Sequence, residues 1–198
     1  VAERLFVECG YAATSVERVA SEADLTKGAV YFYFASKEGL LEALLSRAQE
    51  SVFSPSLAIL DEADGSAIER LARYFNYLGA SAENTGRTQR YLLVLMVSLQ
   101  LAAVPEAARM RAQAMLTSIG ARVERVIRAA QQDGEISAGV HPAESAAIVR
   151  AMTEGMLLQW HQRSTDLDGE QFLRAGRTAL LTGLLASTST PPERRPTR

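Results

Sequence analysis

The chain has 198 residues, 47% hydrophobic and 22% charged, a composition that supports a substantial buried core and excludes a low-complexity polymer. Its formal net charge of −2, from 21 Lys and Arg against 23 Asp and Glu, excludes a broadly basic nucleic-acid coat, so any DNA contact must come from locally placed cations. The single cysteine excludes an intramolecular disulfide and fits a reducing cytoplasm; no signal-peptide pattern is present.

Nearly every segment carries helical periodicity. Ala2, Leu5, Phe6 and Cys9 recur at i, i+3, i+4 and i+7, with Gly10 placed just past the helix end. Because the chain starts at Val1 inside this stripe, a further upstream segment is expected. Thr14-x-x-Glu17 reads as a capping box that opens a second helix with Val16, Val19 and Ala20 on its buried side. Ala23-Asp24-Leu25 forms a tight turn, and Thr26 caps a third helix through Phe34. Ser36 caps a fourth, whose apolar face is Leu40, Leu41, Leu44 and Leu45.

Ser66-x-x-Glu69 is another capping box. Tyr91 to Val104 is apolar on nearly all sides, as in a helix at the centre of a bundle, and is too short to span a membrane. Pro105 opens a long helix that stops at Gly134, and its arginines, Arg111, Arg122, Arg125 and Arg128, read as a solvated face. Pro142 opens a helix to about Arg163, and Asp168 caps a last helix through about Ala186. The Ser-, Thr-, Pro- and Arg-rich tail, residues 187–198, reads as disordered. The fold class is therefore all-α. A helix-turn-helix unit over residues 1–46 is fused to a helical bundle over 47–186.

The distribution of lysine singles out one stretch. Lys27 and Lys37 are the only lysines, and the other 19 basic side chains are arginines. They bracket Tyr31, Phe32, Tyr33 and Phe34, in a segment from Thr26 to Lys37 without an acid. Two short helices joined by a tight turn make a helix-turn-helix, whose second helix enters the DNA major groove. Val19, Ala20, Leu25 and Val30 are expected to pack the two helices together. Lysine ammoniums and tyrosine hydroxyls donate well to phosphate oxygens, and Gly28 lets backbone come close to a ligand surface. Val30 and Phe34 read as core, while Phe32 stays open between core and surface. Residues 1–50 are nonetheless net −3, with five cations against eight acids.

The run Leu5-Phe6, Gly10-Tyr11, Thr14-Ser15-Val16, Val19-Ala20, Ala23, Lys27-Gly28, Tyr31, Phe34, Lys37-Glu38 and Leu40-Leu41 resembles the DNA-binding domain of the TetR family of bacterial transcriptional regulators. The resemblance covers about residues 2–46. It implies a two-fold homodimer bound to a palindromic double-stranded operator, and a C-terminal domain whose small-molecule effector weakens DNA binding. By the same resemblance Thr14, Ser15, Thr26, Lys27, Gly28, Ala29, Tyr31, Tyr33 and Lys37 are the operator-contacting candidates. Tyr33 stands where the family frequently has histidine.

In the bundle, Tyr74, Tyr91, Met96, Met115, Met156 and Trp160 are candidates to line an apolar effector pocket, with ordinary core packing as the alternative for any one of them. Ala151 and Gly155, with Ala175, Ala179 and Gly183 at four-residue spacing, are small residues suited to a dimer interface of four helices, or to packing within one subunit. Asp166, Asp168 and Glu170 superficially suggest a calcium loop, but position 177 is Arg where a bidentate Glu is needed, so no metal is expected. No nucleophile–base pair or cofactor motif supports an enzyme, and no cofactor is expected. The function that follows is a ligand-responsive repressor; its rival is a helical ligand-binding or interaction protein that no longer reads DNA.

Overall fold

The computed structural model describes residues 1–83, 87–100, 102–162 and 169–186, and among them every regular element is helical. The helices are α1 (Ala2–Glu8), α2 (Val16–Glu22), α3 (Lys27–Phe34), α4 (Lys37–Ala48), α5 (Ser54–Asp61), α6 (Ala67–Glu83), α7 (Arg87–Ser98), α8 (Glu106–Gln132), α9 (Pro142–His161) and α10 (Gly169–Ala186). A π-helical turn, Gln49–Phe53, joins α4 to α5 without a break. The expected Asp168 cap, the calcium-like Asp166 and Asp168, and the tail from residue 187 lie outside the described residues.

Local chemistry explains most of the helix ends. Thr26 Oγ1 accepts from the Ala29 N–H at 3.1 Å, and Ser36 Oγ accepts from the Gly39 N–H at 3.0 Å. Ser66 and Glu69 form the expected reciprocal box, with bonds of 2.9 and 3.2 Å. Gly10 and Gly134 follow α1 and α8 with φ of 85° and 75°, a left-handed geometry that costs a side-chain-free residue little.

Thr14 departs from the expectation. Ser15 caps α2 by accepting from the Arg18 N–H, whereas Thr14 is 1% exposed and donates to Gly10 O at 2.8 Å and Leu5 O at 3.2 Å. The turn after Gly10 folds Thr14 back over the end of α1, so its hydroxyl serves Gly10 O and shares Leu5 O with the Cys9 N–H.

The apolar core is continuous from Ala2, Leu5 and Phe6 on α1, through Leu41 and Leu45 on α4, into the bundle. Helix α7 sits at its centre: every residue from Tyr91 to Val97 is buried. That helix runs from Arg87 to Ser98, so it begins and ends earlier than the apolar run suggested. Helices α2 and α3 keep a small cluster of their own, Val16, Ala20 and Val30 with Phe34 against it. Val19 faces the main core instead, and Leu25 is 53% exposed rather than packed. Asp24, at φ 54°, closes the turn so that the Leu25 N–H bonds Ala20 O while the side chain projects outward.

The arginines of α8 are not merely a solvated face. Arg111 donates to Glu42 Oε2 at 2.7 Å, to Ser46 Oγ at 3.1 Å and to Gln49 Oε1 at 3.2 Å, which clamps α8 to the end of α4. Arg122 and Arg125 both hold Asp61 on α5, and Arg128 pairs with Glu124 within α8.

A long-range cap closes the N-terminus of α6. Glu135 accepts from the Ala67 and Ile68 N–H groups, both at 3.1 Å. Burial pushes its carboxyl up, but the Ile68 and Ala67 N–H groups outweigh it and hold the pKa below the usual range. Glu135→Gln is expected to cost about 1 kcal/mol at neutral pH, in the range of a lost helix cap. Because the folded pKa is depressed, the contribution of Glu135 is present above the unfolded carboxylate pKa and lost as pH falls through the folded value. The two proteins should therefore converge in urea midpoint on acidification, and a gap constant down to pH 3 would contradict this assignment.

Candidate nucleic-acid interface and bundle cavity

Helix α3 turns one face inward and the rest outward. Val30 is 3% exposed and Phe34 half-buried, whereas Thr26, Lys27, Gly28, Tyr31, Phe32 and Tyr33 are exposed and Ala29 is half-buried. A side chain at Gly28 would meet nothing nearer than Thr26 Oγ1 at 3.9 Å, so no internal contact requires glycine there. Its effect is to leave backbone bare on the outward face.

The two lysines are both held within the protein. Lys27 pairs with Glu17 on α2 and lies 5.6 Å from the Tyr31 ring centre. Each partner stabilises the charged form of the other, lowering the Glu17 pKa and raising that of Lys27. Lys37 Nζ donates to Ala12 O at 3.2 Å and lies 4.2 Å over the Tyr11 ring. Burial pushes the Tyr11 hydroxyl up to about 12, with Glu38 adding to it. Ser15 is exposed but its hydroxyl is occupied as the α2 cap. Thr14, the remaining candidate, is buried and does not reach this surface, a correction that follows from its bonds to α1.

In the bundle, a cavity of about 40 Å³ opens between the π turn and helices α5 to α9. Val52 and Phe53 of the π turn, Leu93 and Ile119 form part of its apolar wall, and Tyr74, Arg150, Thr153 and Glu154 supply the polar one. Arg150 Nε lies 3.3 Å from Glu154 Oε1. Burial raises the Glu154 pKa against the pull of Arg150, and burial likewise pushes the Tyr74 hydroxyl up.

Of the six pocket candidates named from sequence, only Tyr74 lines this cavity. Met96 and Met115 are buried in the core, and Met156 packs where α9 meets Gly176. Tyr91 donates to Glu8 Oε1 at 2.7 Å, at the seam of α1 and α7, with Arg90 over both its ring and that of Trp160. Large flexible side chains filled space here rather than bordering it. Arg150, Thr153 and Glu154 were missed. Their i, i+3, i+4 spacing with Leu157 on α9 is the signal that marked a mixed, half-buried face.

Ala151, Ala175, Ala179 and Gly183 are exposed in the single chain and Gly155 is half-buried. A Cβ at Gly155 or Gly183 would meet nothing within 4 Å, so packing within this subunit does not explain those glycines. The close approach of α9 and α10 is made instead at Gly176, where a Cβ would fall 2.3 Å from the Met156 thioether.

A short, side-chain-capped helix, packed on its predecessor across a tight turn and presenting lysine, bare backbone and tyrosines outward, defines a DNA-binding regulator of the helix-turn-helix class. Residues 1–44 match the model for bacterial regulatory proteins of the tetR family, and residues 67–175 match the tetracyclin repressor-like C-terminal domain. The chain belongs to the TetR family, whose members here are transcriptional regulators and not enzymes.

Relatives agree along most of the chain. It is 26% identical over 190 residues to the HTH-type transcriptional regulator UidR of Escherichia coli K12, covering 94% of this chain and 90% of that protein. Similarity to the regulator YuxN of Bacillus subtilis is higher, 41%, but confined to 61 residues, 31% of this chain and 21% of that protein. The crystal structure of the MbdR regulator from Azoarcus sp. CIB superimposes with a TM-score of 0.82 at 30% identity, over 92% of this chain and 94% of that one. No helix among the described residues is long and apolar enough to cross a membrane.

Proposed function

We propose that this chain is a cytoplasmic, homodimeric repressor that leaves a palindromic operator when a small molecule enters its bundle. The observation that carries the reading is the outward face of α3, where an exposed lysine, bare glycine backbone and two tyrosines stand opposite a buried Val30. Thr26, Lys27, Gly28, Ala29, Tyr31 and Tyr33 on α3, with Ser15 and Lys37 beside it, are the operator contacts. Reaching a phosphate requires Lys27 to give up Glu17, an exchange of one anion for another. Residues 1–46 serve as the DNA reader and the bundle after them as the effector and dimer unit.

The cavity next to the π turn is the effector site. At about 40 Å³ it is far below the roughly 300–1,000 Å³ of occupied ligand pockets, so an effector must enlarge it. An apolar body against Val52, Phe53 and Ile119, with a polar end toward Tyr74, Arg150 and Glu154, fits the lining. Val52 and Phe53 belong to the π turn that continues α4, and π turns recur at functional sites. Pushing them moves α4, against which Arg111 of α8 is clamped, and α4 carries Lys37 at its start. Recognition helices spaced for grooves about 34–36 Å apart then lose register. The exposed small residues of α9 and α10 suit a two-fold four-helix interface.

The test is a gel-shift assay with the DNA upstream of the gene, followed by a thermal-shift screen of apolar compounds with one polar end. A saturable complex that depends on both halves of a palindrome is expected. An effector at a hundred times its dissociation constant should add about 2.7 kcal/mol of stability and dissolve the complex. A palindrome-independent smear, or stabilising compounds that leave the complex intact, would count against the reading.

A further inference from the structure

We propose that Phe32 reads thymine in the operator half-site, through the C5-methyl group, and is the base-specifying side chain of α3. The assignment rests on the operator-binding reading above. Phe32 is 84% exposed, more than any other large hydrophobic side chain among the described residues, and no sequence argument had placed it on the surface.

The helical geometry explains why. At about 100° per residue, Val30 and Phe34, the side chains that pack against α2, lie about 40° apart, and Phe32 points about 180° from their mean direction. Gly28, one turn earlier, falls within about 40° of Phe32 and contributes no side chain. The outermost ridge of α3 is therefore bare backbone followed by a phenyl ring, flanked on either side by Tyr31 and Tyr33. The Tyr33 ring meets Phe32 edge-on with centroids 5.4 Å apart, bracing it outward.

A helix laid in the major groove sends its outermost ridge to the base edges and its flanks to the two backbones. The flanking tyrosines carry hydroxyls suited to phosphates. Phe32 carries no donor or acceptor, so neither a phosphate nor a polar base edge can be its partner. The largest apolar feature on the groove floor of ordinary DNA is the thymine methyl, which stands where cytosine has only a hydrogen. Water leaves both surfaces when they meet, which supplies the driving force.

The experiment removes that methyl and nothing else. Once footprinting has located the operator, each thymine of a half-site is replaced in turn by deoxyuridine, and affinity is measured for the wild-type protein, Phe32→Ala and Phe32→Leu. The wild type should lose about fourfold at one thymine position per half-site, the value of one buried methyl, and about fifteenfold when both half-sites are changed. Phe32→Ala should be indifferent to the same replacement, and Phe32→Leu intermediate. Because the ring is exposed, both variants should melt with the wild type. Loss of affinity in Phe32→Ala with an unchanged deoxyuridine profile overturns the assignment and leaves operator binding standing. Absence of any saturable complex overturns both.

Discussion

Ala179→Glu is expected to yield a folded monomer that has lost at least about a hundredfold in operator affinity. Ala179 is exposed in the single chain, outside the buried core, so glutamate there is expected to leave the fold of the subunit intact. Across a two-fold axis the same substitution appears twice on one small-residue surface, burying two like charges without partners. A monomer reaches one half-site and loses the second set of contacts, and specific complexes exceed non-specific ones by about 10³ or more. Light scattering gives the mass, near-ultraviolet circular dichroism checks the fold, and a gel shift gives the affinity. A variant that remains dimeric and DNA-competent would remove α9 and α10 from the interface.

Lys37→Ala is expected to weaken binding to all sequences alike, because a phosphate contact positions the protein without reading bases. Two lysines per dimer should flatten the dependence of log K on log salt by about 1.8, at about 0.9 per phosphate. The loss should consequently be about tenfold larger at 50 mM than at 200 mM salt. Lys37 also holds Ala12 O and the Tyr11 ring, so Lys37→Arg serves as the charge-preserving control. One of the three ammonium donors serves Ala12, which leaves two for a phosphate. A changed sequence preference with an unaltered salt slope would show that Lys37 shapes the α1–α2 loop and does not touch DNA.

What could be read along the chain was what depends on neighbours in sequence. The caps Thr26, Ser36 and Ser66 were legible because the bond spans three residues, and so was Val30, whose burial follows from its place in one helical turn. Thr14 was misread because two adjacent hydroxyls competed for one cap, and the turn after Gly10 decided between them. Leu25 was misread for a related reason: a single left-handed residue, Asp24, reverses the direction of a side chain that periodicity points inward.

The candidate sites divide in the same way. The outward tyrosines and Lys27 of α3 followed from the helix they occupy, but that Phe32 joins them depends on which face α2 covers. The bundle cavity was the least legible part. Its wall brings together a π turn and helices α5 to α9, residues separated by more than a hundred positions from Val52 to Leu157, whose common border no local pattern encodes. Arg111 was similarly invisible as a clamp, because its partners Glu42 and Ser46 on α4 and Gln49 at the start of the π turn lie sixty residues or more away.

By itself, then, the sequence determined an all-α chain, a helix-turn-helix with two bracketing lysines, and membership in a regulator family. Those properties rest on short-range hydrogen bonding, apolar periodicity and residue spacing, which are already complete within a few helical turns. Tertiary structure alone decided that α1 and α4 share the core of the bundle, that the polar wall of the cavity belongs to α6 and α9, and that a phenyl ring stands on the outermost ridge of α3. Each of these is a matter of which surfaces exclude water together. Only the packed chain sets that, because burial is a property of pairs of elements rather than of any one of them.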